Sequence, residues 1–400
     1  MDMQQHHSPG EQHWIGIAGR MADDFALRAA QHDEERSFPY ENYEQLRETG
    51  YSIMTIPTEL GGGGVSLLER VKAQERLAQG CGPTALAINM HFNILGVVTD
   101  VWRTTKDARA EALLRQIAAN RWIVGGSGSE ANNAVTVLRP KATAEPMDGG
   151  WKVSGKKIFS TQSIALDRYF SEATWGPSDN PKEGKIISFL IPRDTPGLLM
   201  KDDWNTMGMR ATESRSTELQ DAFIPDDAIF LERPVFTRGG VLSLFLKAPF
   251  SMGGVYIGIA VAARNFVVEF MRDRPRFPHK QPMSHLPSVY NKVGEMDVLI
   301  EGARAAMWKA GAEVEHEDIR MWGRKSVAAR MIAIENSVRV VDLAMRTVGG
   351  ISYYKRLPLE RYFRDVRAGL FHPVDADDTL ELLGKTAFDI SMSDDEATWG

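Results

Sequence analysis

Apolar residues recur at three- and four-residue intervals from about Glu11 to Asn120, in segments such as GEQHWIGIAGRMADDFALRAAQHD and YENYEQLRET. That spacing lines them along one face of a helix and predicts an all-α region over 1–120. Between Arg121 and about Glu232 the period moves toward two. VTVLRPKATAEP, a turn at Met147-Asp148-Gly149-Gly150 and GWKVSGKKIFST read as a hairpin, and RYFSEATW, KIISFLIP and STELQDAFIP supply further strands of a β region over 121–240. Helices return over 241–400. Val289, Val293, Met296, Ile300, Ala303 and Met307 form one stripe, and Val327, Met331, Ile334, Val338, Val341 and Met345 another, as in an antiparallel bundle. The chain is therefore α+β, mostly α, in the order helices, strands, helices. It shows no fixed repeat, which argues against a solenoid or propeller.

Composition narrows the function classes. The 400 residues are 43% hydrophobic and 25% charged, an ordinary globular balance. A net charge of -6 with no long Lys/Arg run gives no field for nucleic acid or an acidic membrane. The N-terminal MDMQQHHSPGEQHW lacks the basic start and apolar core of a secretory signal, so a cytoplasmic location is expected. Ser251 to Ala263 is glycine-interrupted and shorter than the roughly 20 residues a membrane span needs, so a buried helix is expected there. The single cysteine, Cys81, excludes an internal disulfide and reads as a buried inert thiol. The nine histidines show no metal-binding spacing, and Glu315-His316-Glu317 falls in a charged segment, so no metal is expected.

The run Gly61 to Gly64 lacks the Lys-Ser/Thr of a P-loop and the spacing of a dinucleotide fingerprint, and reads as a flexible turn between helices. Its context, IPTELGGGGVSLLE followed by ERLAQG, resembles the N-terminal domain of the acyl-CoA dehydrogenase superfamily. Three further segments agree in order and spacing: KIFST at 157–161, WNTMGMRATESRSTELQDAFIP, and Thr347-Val348-Gly349-Gly350 followed by LPLERYFRDVRA. The resemblance runs from about Glu11 to Ala387. It implies an N-terminal helical domain, a middle β-barrel or sheet domain and a C-terminal four-helix bundle. It also implies a flavin, FAD or FMN, held between the last two, and a homotetramer in which a neighbouring subunit completes the cofactor site. By position, Ser127 and Ser129 would meet the flavin, and Phe159 and Thr161 would flank its ring. Arg274 and Phe277 would lie near its diphosphate, and Gly349 and Gly350 would admit the nucleotide close to the backbone. Each has a plainer alternative: Phe159 as core, the serines as strand hydroxyls, Arg274 as a solvated charge.

The chain also departs from the dehydrogenases. Those enzymes need a carboxylate beside the substrate α-carbon, because proton abstraction accompanies hydride loss. Counting on from Arg364-Asp365 places Pro373 where that Glu is expected, and LSLFLKAPFSMGGVYIG carries neither the alternative Glu nor the Asp-x-x-Arg that helps seat coenzyme A. His372 precedes Pro373, and His91 lies on a helix expected to face the flavin. Histidines without the Glu resemble the superfamily's flavin monooxygenases, the desulfurisation and amine N-oxygenating enzymes, where an imidazole of ordinary pKa near 6.5 could manage a proton. The alternatives are His372 as a loop residue capping a helix end and His91 as a satisfied core histidine. A two-residue slip would put Asp375 at the base position.

Three functions follow. One is a monooxygenase that takes reduced flavin from a separate reductase and acts on a small apolar substrate at sulfur, nitrogen or carbon. The second is a dehydrogenase that passes electrons to an electron-transfer flavoprotein. The third is a catalytically silent scaffold on a flavin fold.

Overall fold

The computed structural model describes residues 9–133, 136–176, 183–236, 247–278 and 280–390. Six helices come first: α1 (Pro9–Ala26), α2 (Ala29–Glu35), α3 (Tyr40–Glu48), α4 (Leu67–Ala78), α5 (Gly82–Thr105) and α6 (Ala108–Asn120). Local chemistry sets their starts. Ser66 and Glu69 form a reciprocal capping box on α4, Pro83 opens α5, and the Asp107 carboxylate caps α6. The glycine run before α4 is a packed turn rather than a flexible one. Gly64 N–H donates to Ile56 O at 2.8 Å, and a β-carbon on Gly63 would lie 2.5 Å from the Trp14 ring.

Eight strands follow: β1 (Val124–Gly126), β2 (Thr143–Met147), β3 (Gly150–Ser160), β4 (Arg168–Trp175), β5 (Lys185–Pro192), β6 (Leu198–Met200), β7 (Arg215–Pro225) and β8 (Ile229–Pro234). They make one sheet in the order β6-β7-β3-β2-β4-β5-β8, with β1 parallel to β4. The hairpin turns where expected, at Met147–Gly150, but its first arm is short. Residues 136–142 leave the strand because Glu130 draws their backbone inward, accepting Lys141 N–H at 2.5 Å and Ala142 N–H at 2.9 Å.

The last part is helical: α7 (Met252–Met271), α8 (Pro287–Glu313), α9 (Ile319–Val348), α10 (Leu359–Val366) and α11 (Ala376–Ala387). The stripes on α8 and α9 face each other, with Met296, Ile300, Ala303 and Met307 buried opposite Val327, Ile334 and Val341. Two helices are long and apolar enough to cross a membrane by length and composition, Gly82–Thr105 and Pro249–Met271, but most of each apolar window is buried inside the protein. They serve as core helices. Close approach makes this possible. A β-carbon on Gly258 would lie 2.2 Å from Glu75 O and one on Gly254 2.5 Å from Val71 O, so α7 rests directly on the backbone of α4. Cys81 is buried, and burial pushes its thiol pKa up, as expected of an inert thiol.

Candidate functional site

Ser127, Ser129, Phe159 and Thr161 gather at one end of β3. The β3–β7 ladder slips register between Lys157 and Ser160, and at that bulge Phe159 takes φ 59° and turns outward, 57% exposed. A large aromatic in the left-handed region and facing outward is a costly arrangement that a core residue would not need. Its ring meets Trp204 edge-on, with centroids 6.2 Å apart. Ser129 O accepts Ile158 N–H at 3.0 Å, Ser127 Oγ accepts Ser129 N–H at 2.9 Å, and Ser171 Oγ donates to Ser127 O at 3.1 Å. Beneath them Lys157 Nζ donates to Glu130 at 2.7 Å, both side chains buried. Burial opposes the Glu130 charge, but Lys157 holds the carboxyl below its usual range.

A line of hydroxyls leaves this wall. Ser214 Oγ donates to Thr161 Oγ1 at 2.9 Å and lies 2.8 Å from Thr212 Oγ1, which donates to Met209 O. Met209 N–H donates to Asp365 Oδ1 at 2.6 Å. Asp365 is buried on α10, and burial raises its pKa to about 6. The neighbouring Arg364 clamps Asp33 on α2 together with Glu360, which fixes α10 against the N-terminal helices.

Past α10, a short 3-10 segment over Arg367–Phe371 delivers His372, half-buried. Its Nε2 lies 2.6 Å from the hydroxyl of Tyr256, which is fully buried on α7. Arg330, buried on α9, donates from Nη2 to Val374 O. Burial first, then Arg330, push the His372 pKa down to about 4, so the imidazole is neutral at neutral pH. Pro373 is exposed, and Asp375 is turned away as the N-cap of α11, its Oδ1 accepting Asp378 N–H at 3.0 Å.

His91 departs from the expectation that it faces a flavin. It is fully buried, with Nδ1 accepting Val124 N–H at 3.0 Å and Nε2 2.7 Å from Ser52 O, and burial lowers its pKa to about 4. Both ring nitrogens are occupied by backbone, which leaves none for a ligand. Arg274 lies with its guanidinium 4.4 Å from the Phe270 ring centroid, Phe277 is 96% exposed, and Gly349 closes α9 at φ 80°. A β-carbon on Gly349 or Gly350 would meet nothing within 4 Å. Among the described residues no hydrogen bond or ring contact joins these four to Phe159 or Thr161. Residues 242–246, at the start of the LSLFLKAPFSMGGVYIG segment, lie outside the described residues.

Sequence reasoning missed Tyr256, Arg330, Trp204 and Ser214. Tyr256 alone left a signal, as the one hydroxyl in the apolar run from Met252 to Ala263, since a buried donor must find a partner.

Three family models match the chain in order: the acyl-CoA dehydrogenase N-terminal domain over residues 17–121, middle domain over 125–222 and C-terminal domain over 250–374. YdbM of Bacillus subtilis (strain 168), which carries an acyl-CoA dehydrogenase name, is 33% identical over 95% of this chain and 97% of its own. The L-evernosamine nitrososynthase of a Micromonospora species is 29% identical over 92% and 88%. The structure of KijD3 with FMN and an amino-keto deoxysugar nucleotide superposes with a TM-score of 0.85 at 27% identity, covering 97% of this chain and 96% of that one. The chain belongs to the acyl-CoA dehydrogenase family of flavin-dependent oxidoreductases.

Proposed function

We propose that the protein is a reduced-flavin monooxygenase acting on a small apolar substrate at sulfur, nitrogen or carbon. One observation carries the reading. After Arg364-Asp365, where a dehydrogenase needs a carboxylate base, the chain offers a neutral imidazole anchored on Tyr256, while the nearby acid, Asp375, caps a helix and faces outward. The likeness to nitrososynthases supports it.

The residues fit a flavin. The outward Phe159, with Trp204 beside it, offers an apolar platform, and the Thr161, Ser127 and Ser129 hydroxyls and amides offer polar edges. Arg274, Phe277, Gly349 and Gly350 would serve the phosphate end, where the open space beside Gly349 and Gly350 leaves room for it, and, as the resemblance implies, a second copy of the chain in a homotetramer would complete the site. When bound, reduced flavin supplies the electrons that activate molecular oxygen. The chain's own task is to seat the ring, exclude water and hold the His372 imidazole against the reacting oxygen. A separate reductase would supply the flavin.

The likeness to YdbM favours a second reading, an acyl-CoA dehydrogenase serving an electron-transfer flavoprotein. It requires Asp375 to leave its cap. The two separate on mixing the anaerobically reduced, flavin-loaded protein with oxygen. A transient absorbance between the reduced and oxidised flavin bands is expected, and His372→Ala should keep flavin affinity while releasing more peroxide. Direct reoxidation, with bleaching of the flavin by acyl-CoA, would establish the dehydrogenase. Failure to bind flavin at all would establish the scaffold.

A further inference from the structure

Tyr256 sits in a run of α7, Met252 to Ala263, in which every residue is buried, and it carries that run's only hydroxyl. The phenol has one hydrogen to place, and among the described residues its partner is His372 Nε2 at 2.6 Å. Were Nε2 protonated and pointing at the phenol oxygen, the phenol hydrogen would be sealed in the core without an acceptor, which buried donors rarely tolerate. The arrangement that satisfies both groups has Tyr256 donating and Nε2 accepting. A neutral imidazole that accepts at Nε2 carries its proton on Nδ1. His372 is half-buried, and its Nδ1 has no partner among the described residues.

We infer that Tyr256 is a positioning residue that locks His372 in the Nδ1–H tautomer, so that His372 meets its ligand as a neutral hydrogen-bond donor to an oxygen atom and not as a base. The surroundings favour this state. Arg330 from α9 opposes an imidazolium, Asp365 from α10 adds a negative field at the phenol, and burial pushes the Tyr256 pKa well above its ordinary value, so the phenol keeps its proton. Asp375, at the start of α11, places its charge on Arg330, and Glu335 on α9 lines the same cavity as Gly369, Val374 and Asp375. The nature of the oxygen atom rests on the proposed monooxygenase; the tautomer does not.

The test is nitrogen NMR of the full-length protein labelled with ¹⁵N-histidine, without flavin or substrate, with His372→Gln assigning the signal. At neutral pH Nδ1 should resonate as protonated and Nε2 as unprotonated. In Tyr256→Phe both tautomers should populate, and the His372 titration midpoint should rise by about one unit, because the lost donor favoured the neutral ring. An Nε2–H tautomer or an imidazolium in the unmutated protein would overturn the inference, even if the variant failed to fold. So would an unchanged spectrum in a folded variant. Because flavin is absent, failure here leaves the oxygen-mixing result standing, and the reverse also holds.

Discussion

His91 and His372 share a residue type and an expected role, and the structure parts them by what their nitrogens touch. Both nitrogens of His91 are spent on the backbone of Ser52 and Val124, tying the segment before α4 to β1 through α5. His372 spends one on Tyr256. Their position on the sequence could not separate them, because helix periodicity does not say which of two polar residues turns inward when the surrounding helix is apolar on most sides, as α5 is. The consequence is measurable. His91→Leu strands a backbone donor and an acceptor in the core, so it should cost about 1–3 kcal/mol of stability in denaturant titration. A variant as stable as the parent would refute the structural role.

At the scale of elements, the contact that places the candidate site is α7 on α4. Gly254 and Gly258, one helical turn apart, let the two backbones meet, and this sets the depth at which Tyr256 faces the segment after α10. Gly369 completes the fit, since a β-carbon there would lie 3.1 Å from the Tyr256 ring. A methyl group on Gly258 would have to enter space occupied by Glu75 O, so Gly258→Ala should destabilise by roughly 1–3 kcal/mol despite its better helix propensity. Thermal unfolding checks this; an unchanged or raised Tm would show that the helices can separate without penalty. The glycines were visible in the sequence as interruptions of an apolar run, but their partner helix, distant in the chain, was not.

For the whole molecule, the buried ionisable groups predict a dependence of stability on pH. His91 and His372 each have folded pKa values of about 4, below the ordinary 6.5. The unfolded chain takes up their protons first, so their full contribution is present above about pH 6.5 and is lost as pH falls toward 4. Asp365 acts with the opposite sign. Its folded value of about 6 lies above the ordinary 3.8, so its contribution is present at low pH and is lost as pH rises through 6. From these three groups alone, close to two protons are taken up on unfolding and close to one is released around pH 5, so they should make stability fall by roughly 1.4 kcal/mol for each unit that pH drops. Asp365→Asn should steepen that fall. Urea titrations between pH 7 and 4.5 would show it, and a flat profile would mean that these groups are not desolvated as described.

What the sequence determined by itself is what local chemistry and period determine. The helix–strand–helix order, the apolar stripes of α8 and α9 and the hairpin turn at Met147–Gly150 were all readable without a fold. Only the tertiary structure decided which side chains meet. It turned Phe159 outward at a bulge that depends on β7, made Asp375 a cap, sealed His91 and set Tyr256 against His372 across 116 positions of chain. Period reports a residue's own neighbours along the backbone; the partner of a buried polar atom is chosen by how distant elements pack.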